Sequence, residues 1–153
     1  MLETAIPDAT PEEAPHTLLY VEDNPANLRL MERIIARRPG MRLHQAVSGV
    51  SGIDIALACR PTVILMDINL PDISGFKALK ILRADPITAH IPVIALSANA
   101  MPMNVKSGLE AGFFRYLTKP IVLDELTSAM DKALAYADAL ALKRRSGAAA
   151  PRA

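Results

Sequence analysis

The residues best suited to chemistry in this chain are polar side chains that follow apolar, strand-like segments. Asp67 ends an unbroken apolar run, and an acidic pair, Glu22 and Asp23, follows an earlier one. Ser97 and Lys119 follow two later ones. Carboxylates held together repel, by about 4 kcal/mol at about 4 Å and an effective dielectric constant of about 20, so a cation or a proton must offset them. These residue types predict an aspartate that accepts a phosphoryl group with the help of a divalent metal.

The expected chemistry follows from the properties of each side chain. Magnesium suits a group of carboxylates, because it binds through a few of them and keeps several waters. Asp67 is then the expected nucleophile, with Lys119 and Ser97 contacting phosphoryl oxygens as a point charge and a hydroxyl donor. Each residue alone also has an ordinary explanation, such as a charge at a helix start, a loop cap or a surface lysine. Core packing does not explain why all of them fall at strand ends, so we favour the chemical interpretation.

Strand-like and helix-like segments alternate five times along the chain. The predicted strands are Leu18–Val21, Arg42–Ala46, Thr62–Met66, Val93–Leu96 and Phe113–Leu117. Four are mostly apolar, as in a parallel sheet covered on both faces, and the alternating second one is typical of an edge strand. We therefore predict an α/β fold, a doubly wound parallel sheet of five strands with five helices. Ligands of such sheets bind beyond the carboxyl ends of the strands, where the polar residues above fall.

Caps, prolines and glycines delimit the helices between these strands. The first helix is expected to begin at Asn24-Pro25, and the others to cover about Val50–Arg60, Ser74–Ala84, Pro102–Gly112 and Val122–Arg145. The early part of the long fifth helix is expected to pack on the sheet. Its later part is expected to form a dimer seam, a partner-binding helix or a frayed turn. We assign the basic residues near its end, Lys143, Arg144 and Arg145, to interaction with the helix dipole.

Composition bounds the number of domains and the class of protein. The chain has 153 residues, 51% of them apolar, and a net charge of +1, so we expect one globular domain without nucleic-acid or membrane binding through bulk charge. The domain is predicted at residues 16–145, between a flexible leader (1–15) and a flexible tail (146–153). The single cysteine, Cys59, excludes an internal disulfide and is expected to be buried. Neither a membrane span nor a secretion signal is found, so a cytoplasmic protein is expected.

Four segments, taken in order, give the chain a specific resemblance. They are Tyr20–Asn24, Leu65–Pro71, Ala95–Ala98 and Tyr116–Pro120. Together they resemble the receiver domain of bacterial response regulators, the phosphoacceptor of two-component signal transduction, over about residues 16–140. The resemblance implies the flavodoxin-like receiver fold, with strand order 2-1-3-4-5.

The resemblance implies a metal site and a phosphorylation site at particular positions. Asp67 matches the phosphoacceptor, and Lys119 matches the lysine that binds the phosphoryl group. The expected ligands of Mg²⁺ (or Mn²⁺) are Glu22, Asp23, Asp67 and the main-chain carbonyl of Asn69. Glu22 stands where many receivers carry aspartate, a variation that leaves the expected metal site intact.

The resemblance also implies the parts of a conformational switch. Ser97 matches the hydroxyl that moves toward the phosphoryl group, and Tyr116 matches the aromatic residue that then turns inward. Gly75 matches the small residue in the loop after the phosphorylation site. The bond between Lys119 and Pro120 is expected to be a cis peptide, which proline makes accessible.

The predicted function is that of a single-domain response regulator, a signalling phosphoacceptor rather than an enzyme, with phosphorylation from small donors and autodephosphorylation expected. A sensor histidine kinase or a histidine phosphotransfer protein would phosphorylate Asp67. The output would be contact with an unidentified downstream protein, or a homodimer through the fourth and fifth helices, since only a short tail follows the receiver. The alternative is the receiver of a hybrid kinase or a phosphorelay intermediate, because the segment Leu96–Met101 resembles such receivers.

Other classes of protein are disfavoured by individual residues. A phosphatase that forms a phosphoaspartate usually has an acidic residue two positions after the nucleophile, where this chain has Asn69. A nucleotide- or flavin-binding module would need a glycine-rich loop after the first strand, and the acidic segment there repels phosphate. His16, His44 and His90 are too scattered to predict a histidine metal site.

Overall fold

The computed structural model describes residues 16–99 and 101–149, with side chains as far as Arg145. The predicted leader (1–15) and the end of the predicted tail (150–153) lie outside the described residues. The strands are β1 (His16–Val21), β2 (Met41–Ala46), β3 (Val63–Asp67), β4 (Val93–Ser97) and β5 (Arg115–Thr118). The helices are α1 (Pro25–Ala36), α2 (Gly49–Cys59), α3 (Gly75–Ala84), α4 (Pro102–Ala111) and α5 (Leu123–Ala149). The predicted alternation of strands and helices is confirmed.

The five strands form one parallel sheet in the order β2-β1-β3-β4-β5, which confirms the predicted order. Paired residues at the carboxyl ends of the strands are Val21 with Met66, Asp67 with Leu96, and Ser97 with Thr118. The strands β1, β3, β4 and β5 therefore end almost level with one another. The residues that follow them meet at a single edge of the sheet.

Side chains that alternate along β1 begin the two apolar layers on either face of the sheet. Leu18 and Tyr20 pack with residues of α1 and α5, whereas Leu19 and Val21 pack with residues of α2 and α3. All four side chains are fully buried. Because burying one large apolar side chain contributes about 1.5–3 kcal/mol, these layers hold the strand ends rigidly in place.

Polar side chains cap the helices that begin at the carboxyl edge of the sheet. Asn24 Oδ1 accepts from the Ala26 N–H at 2.8 Å, and a proline at the first turn completes the start of α1. At the start of α2, Ser48 forms a capping box with Ser51. The Asp72 carboxylate also accepts from the first two N–H groups of α2, at 2.8 and 2.9 Å, which ties the loop before α3 to this helix.

Helix α5 differs from its prediction at the C-terminal end. It ends at Ala149 rather than at Arg145, and no basic residue lies in its last turn. The assignment of Lys143, Arg144 and Arg145 to the helix dipole is therefore wrong, because that interaction fades beyond the last turn.

Two smaller predictions also differ from the structure. Cys59 is exposed rather than buried, because it is the last residue of α2. β5 begins at Arg115 rather than at Phe113, since the Phe113 N–H donates to the Gly108 carbonyl and completes the end of α4. Within the described ranges, no helix has the length and apolar character needed to span a membrane.

Candidate functional site

Three carboxylates meet at the carboxyl edge of the sheet. Glu22 and Asp23 follow β1, Asp67 ends β3, and one oxygen from each lies within 4.8 Å of the others. Glu22 is fully buried and Asp67 is 4% exposed, whereas Asp23 faces solvent. The cluster predicted from the strand ends is therefore present, with two members shielded from water and one open to it.

Lys119 neutralises part of this charge. Its Nζ donates to Asp67 Oδ2 at 2.8 Å and to Glu22 Oε1 at 2.9 Å. The Lys119–Pro120 peptide bond is cis, the geometry that the resemblance implies, and the Lys119 N–H donates to the Ser97 carbonyl at 2.8 Å. The backbone beyond β5 is thus fixed to β4, and the ammonium lies between the two buried carboxylates.

Glu22 has a network of donors that the sequence did not reveal. Its Oε1 accepts from the Tyr20 hydroxyl at 3.1 Å and from Asn27 Nδ2 at 3.2 Å. Its Oε2 accepts from the Asn24 N–H at 3.1 Å. Residues two apart on a strand face the same side, so the spacing of Tyr20 and Glu22 was the available signal. With these donors and Lys119, the buried carboxylate is satisfied without a metal.

The pKa values of the two buried carboxyl groups are shifted in opposite directions. Burial acts to raise the pKa of Glu22, but hydrogen bonds from Lys119 and the Asn24 N–H outweigh it and hold that pKa below its usual value. Burial also raises the pKa of Asp67, and there the hydrogen bonds from Lys119 and the Asn69 N–H compensate only in part. Since its pKa is raised, Asp67 is the less stable of the two anions, and a cation bound beside it is favoured.

Lys119 and Tyr20 respond to the same charges. Burial acts to lower the pKa of Lys119, but hydrogen bonds to Asp67 and Glu22 outweigh it. The pKa is therefore raised above its usual value, and the ammonium stays charged. Burial, followed by the charge of Glu22, raises the pKa of the Tyr20 hydroxyl well above its usual range. Tyr20 is therefore a permanent hydrogen-bond donor to Glu22.

The loop after Asp67 is held in a tight turn. The Asn69 N–H donates to Asp67 Oδ1 at 3.0 Å, and the Gly75 N–H donates to the Ile68 carbonyl at 2.8 Å. A Cβ on Gly75 would lie 2.8 Å from the Asp67 carbonyl oxygen and 2.9 Å from Ile68 Cα. Only glycine allows α3 to approach the loop this closely, which gives a physical reason for the small residue at this position.

Ser97 ends β4 at the same edge of the sheet as Asp67, whereas Tyr116 lies within β5, and neither has a hydrogen bond to the carboxylates among the described residues. Ser97 is 3% exposed at the end of β4, and its Oγ accepts from the Asn99 N–H at 3.0 Å. The Tyr116 ring is half-buried against α4, where a Cβ on Gly108 would overlap it. The absence of a side chain on Gly108 thus makes room for this ring beside the helix.

The donor set fits a hard divalent cation. All three side chains supply oxygen, within 4.8 Å of one another, and the exposed Asp23 keeps one side open to water. Mg²⁺ prefers such a site, with few carboxylates and several waters. The acidic cluster is therefore of the kind that holds magnesium in receivers.

A parallel sheet of this order with an acidic carboxyl edge defines the receiver class of signalling domain. The chain belongs to the response regulator receiver domain family, which it matches over residues 18–131. Receivers of two-component systems are signalling proteins rather than enzymes, as predicted.

Similar proteins include both separate response regulators and a kinase receiver. The chain is 37% identical over 107 residues to the polar-differentiation response regulator DivK of Brucella anthropi, covering 70% of this chain and 86% of that protein. A response regulator structure from Chloroflexus aurantiacus matches with 30% identity and a TM-score of 0.73, over 78% of this chain and 98% of that one. The receiver domain of a sensor histidine kinase from Pseudomonas aeruginosa, with magnesium in its active-site cleft, has 32% identity and a TM-score of 0.71 over the same shares.

Proposed function

We propose that this protein is a phosphoacceptor response regulator whose Asp67 receives a phosphoryl group from a phosphohistidine. The donor is a sensor histidine kinase or a histidine phosphotransfer protein. The observation that carries the proposal is the position of Lys119 Nζ, 2.8 Å from a buried aspartate that shares its site with two further carboxylates.

The proposed reaction is a direct phosphoryl transfer. An Asp67 oxygen attacks phosphorus, the bond from phosphorus to the donor histidine nitrogen breaks, and that nitrogen keeps the electron pair. Lys119, already beside Asp67, holds a phosphoryl oxygen as a point charge, and the Ser97 hydroxyl donates to another. Glu22, Asp23, Asp67 and the Asn69 carbonyl would hold Mg²⁺ or Mn²⁺, which neutralises charge on the transferring group when bound.

A small phosphodonor tests this proposal without the cognate kinase. Acetyl phosphate with Mg²⁺ should add one phosphoryl group to the intact protein, and excess EDTA should suppress the addition, because carboxylates lacking a counter-cation repel the donor. Intact-protein mass spectrometry measures both. The absence of any mass gain with acetyl phosphate and with a phosphoramidate donor would contradict the proposal.

We further propose that phosphorylation changes protein contacts at the surface of α4, β5 and α5. Met101 and Met103 are 62% and 77% exposed there, and Leu109 on α4 is also exposed. Methionines adapt readily to apolar partners, and an added charge at Asp67 biases a two-state equilibrium. The Tyr116 ring, which extends from β5 and packs against Gly108 of α4, would transmit that bias to this surface.

Self-association is one output that this surface supports. We expect light scattering to show a monomer that becomes a dimer when beryllofluoride and Mg²⁺ mimic the phosphoryl group at Asp67. A Met103→Ser variant should remain a monomer, whereas Val50→Ser, at an exposed position of α2 outside this surface, should dimerise normally. An unchanged mass for the wild-type protein would contradict the homodimer and assign the surface to a different protein.

A phosphorelay role is the second candidate. Its support is the 32% identity to a receiver that belongs to a sensor histidine kinase. A relay receiver passes its phosphoryl group on to a histidine phosphotransfer protein. Transfer from phosphorylated Asp67 to such a protein, faster than hydrolysis, would favour this role over a regulator that only changes its contacts.

A further inference from the structure

A second polar cleft lies at the opposite edge of the sheet from Asp67. It is formed by the loops that precede β3 and β4 and by the distal part of α5, and it has a volume of about 820 Å³. Small-molecule sites occupy roughly 300–1,000 Å³, so the cleft has the size of one. It has no part in the phosphorylation chemistry proposed above.

The lining of this cleft is mostly cationic among its charged groups. Arg60, Arg144 and Arg145 line it together with one carboxylate, that of Asp138, and with the imidazole of His90. That carboxylate already accepts from His16 Nε2 at 3.0 Å. Among the lining residues that the structure describes, positive charge therefore exceeds negative charge.

The pKa of His90 is affected by the arginines around it. Burial lowers its pKa, and the charges of Arg144 and Arg83 lower it further. Of these two arginines Arg144 lines the cleft, where its charge is placed to attract an anion.

The arginines of α5 have no explanation as helix-end charges. Helix α5 continues to Ala149, so Arg144 and Arg145 lie before its last turn. The distal part of α5, from Ala137 to Arg145, forms one wall of the cleft. This part of the helix brings two guanidinium groups to the edge where β3 and β4 begin.

Arg60 is held in a backbone conformation that its residue type disfavours. It ends α2 with φ 49° and ψ 64°, the left-handed region, and is the one non-glycine with positive φ among residues 16–99 and 101–149. Glycine or asparagine normally occupies this cap. Strain of this kind at a non-glycine residue points to a use for its side chain, which here lines the cleft.

We propose that this cleft binds a small organic phosphate. Arg60 and Arg144 would bind its phosphate group, since guanidinium forms paired hydrogen bonds with phosphate oxygens. The apolar side of the cleft, which includes Pro61, Ile91 and Ala141, would contact the organic part. This combination distinguishes the site from a surface that attracts any anion.

The test uses ATP as the probe and inorganic phosphate as the comparison, both with the full chain in excess EDTA. NMR amide shifts should move saturably at Thr62, His90 and Arg144 and not at Asp67. Binding of ATP should be about ten-fold tighter than binding of inorganic phosphate. Shifts centred on the Asp67 edge, no saturable shift, or equal affinity for the two ligands would each overturn the proposal. Because the readout maps to the opposite edge, failure here is distinct from failure of phosphorylation.

Two variants separate binding from folding. Arg60→Asn suits the left-handed cap better, so its melting temperature should be equal or higher while ATP affinity falls about ten-fold. Arg144→Gln should show the same loss of affinity. The matched control is Arg29→Gln, an exposed arginine on α1 outside the cleft, which should bind ATP normally. Undiminished affinity in both cleft variants would overturn the assignment of these arginines.

Discussion

Replacing Asp67 by asparagine should abolish labelling by acetyl phosphate and Mg²⁺. The substitution keeps the size of the side chain. It also keeps an oxygen that can accept from the Asn69 N–H, which donates to Asp67 Oδ1 at 3.0 Å in the wild-type protein. An amide is not a nucleophile for phosphorus, so the acceptor is lost while the geometry remains. Intact mass spectrometry should show no phosphorylated species under conditions that label the wild-type protein.

Stability measurements show whether the loss comes from chemistry or from misfolding. The pKa of Asp67 is raised, so its anion is held at a cost in the folded protein, and removing the charge should leave the free energy of unfolding at pH 7 unchanged or higher. The matched control for labelling is Asp72→Asn. It alters an exposed aspartate, five positions further along the chain, that caps α2. Labelling of Asp67→Asn at the wild-type level would contradict the assignment of Asp67.

Replacing Lys119 by methionine should destabilise the metal-free protein by roughly 2–4 kcal/mol, since removing one partner of a buried ion pair leaves the other charges uncompensated. The carboxylates of Glu22 and Asp67 lose their shared ammonium, which now lies 2.9 and 2.8 Å away. Urea unfolding in EDTA measures the loss. Protonation of Asp67, whose pKa is already raised, limits it.

Magnesium should recover part of this loss. In the wild-type protein the ammonium already neutralises part of the charge of the two carboxylates, so added Mg²⁺ should stabilise Lys119→Met more than it stabilises the wild type. The control is Lys80→Met, which alters an exposed lysine of α3 and should change stability by less than about 0.5 kcal/mol. An unfolding free energy in EDTA equal to that of wild type would show that Lys119 does not compensate these charges.

The positions of the site residues could be predicted because parallel strands set them. Once the apolar runs were assigned as neighbouring strands, Glu22 and Asp67 had to meet at the carboxyl edge. The side chains that bind Glu22 could not be predicted in the same way. The sequence predicts only that Tyr20 is a core aromatic residue. Its hydroxyl donates to Glu22 because β1 places both side chains on one face.

Periodicity predicted helical faces better than it predicted helix ends. Cys59 shares the spacing of Gly52 and Ala56, which are buried, yet it is exposed because the helix ends at that residue. Helix α5 runs past Arg145 because the small residues that follow do not end it. Gly147 is one of them, and a single glycine weakens a helix without ending it. The cleft at the opposite edge, which the distal part of α5 lines, could not be predicted from periodicity.

The most direct test of the central claim is to locate the phosphoryl group on the chain. Phosphorylated protein is reduced with borohydride, which converts an aspartyl phosphate to homoserine, and its peptides are sequenced by mass spectrometry. The account predicts homoserine at position 67 and at no other acidic residue. Modification at Glu22, Asp23 or Asp72 instead, or a phosphoryl group that resists reduction because it lies on another residue type, would contradict it.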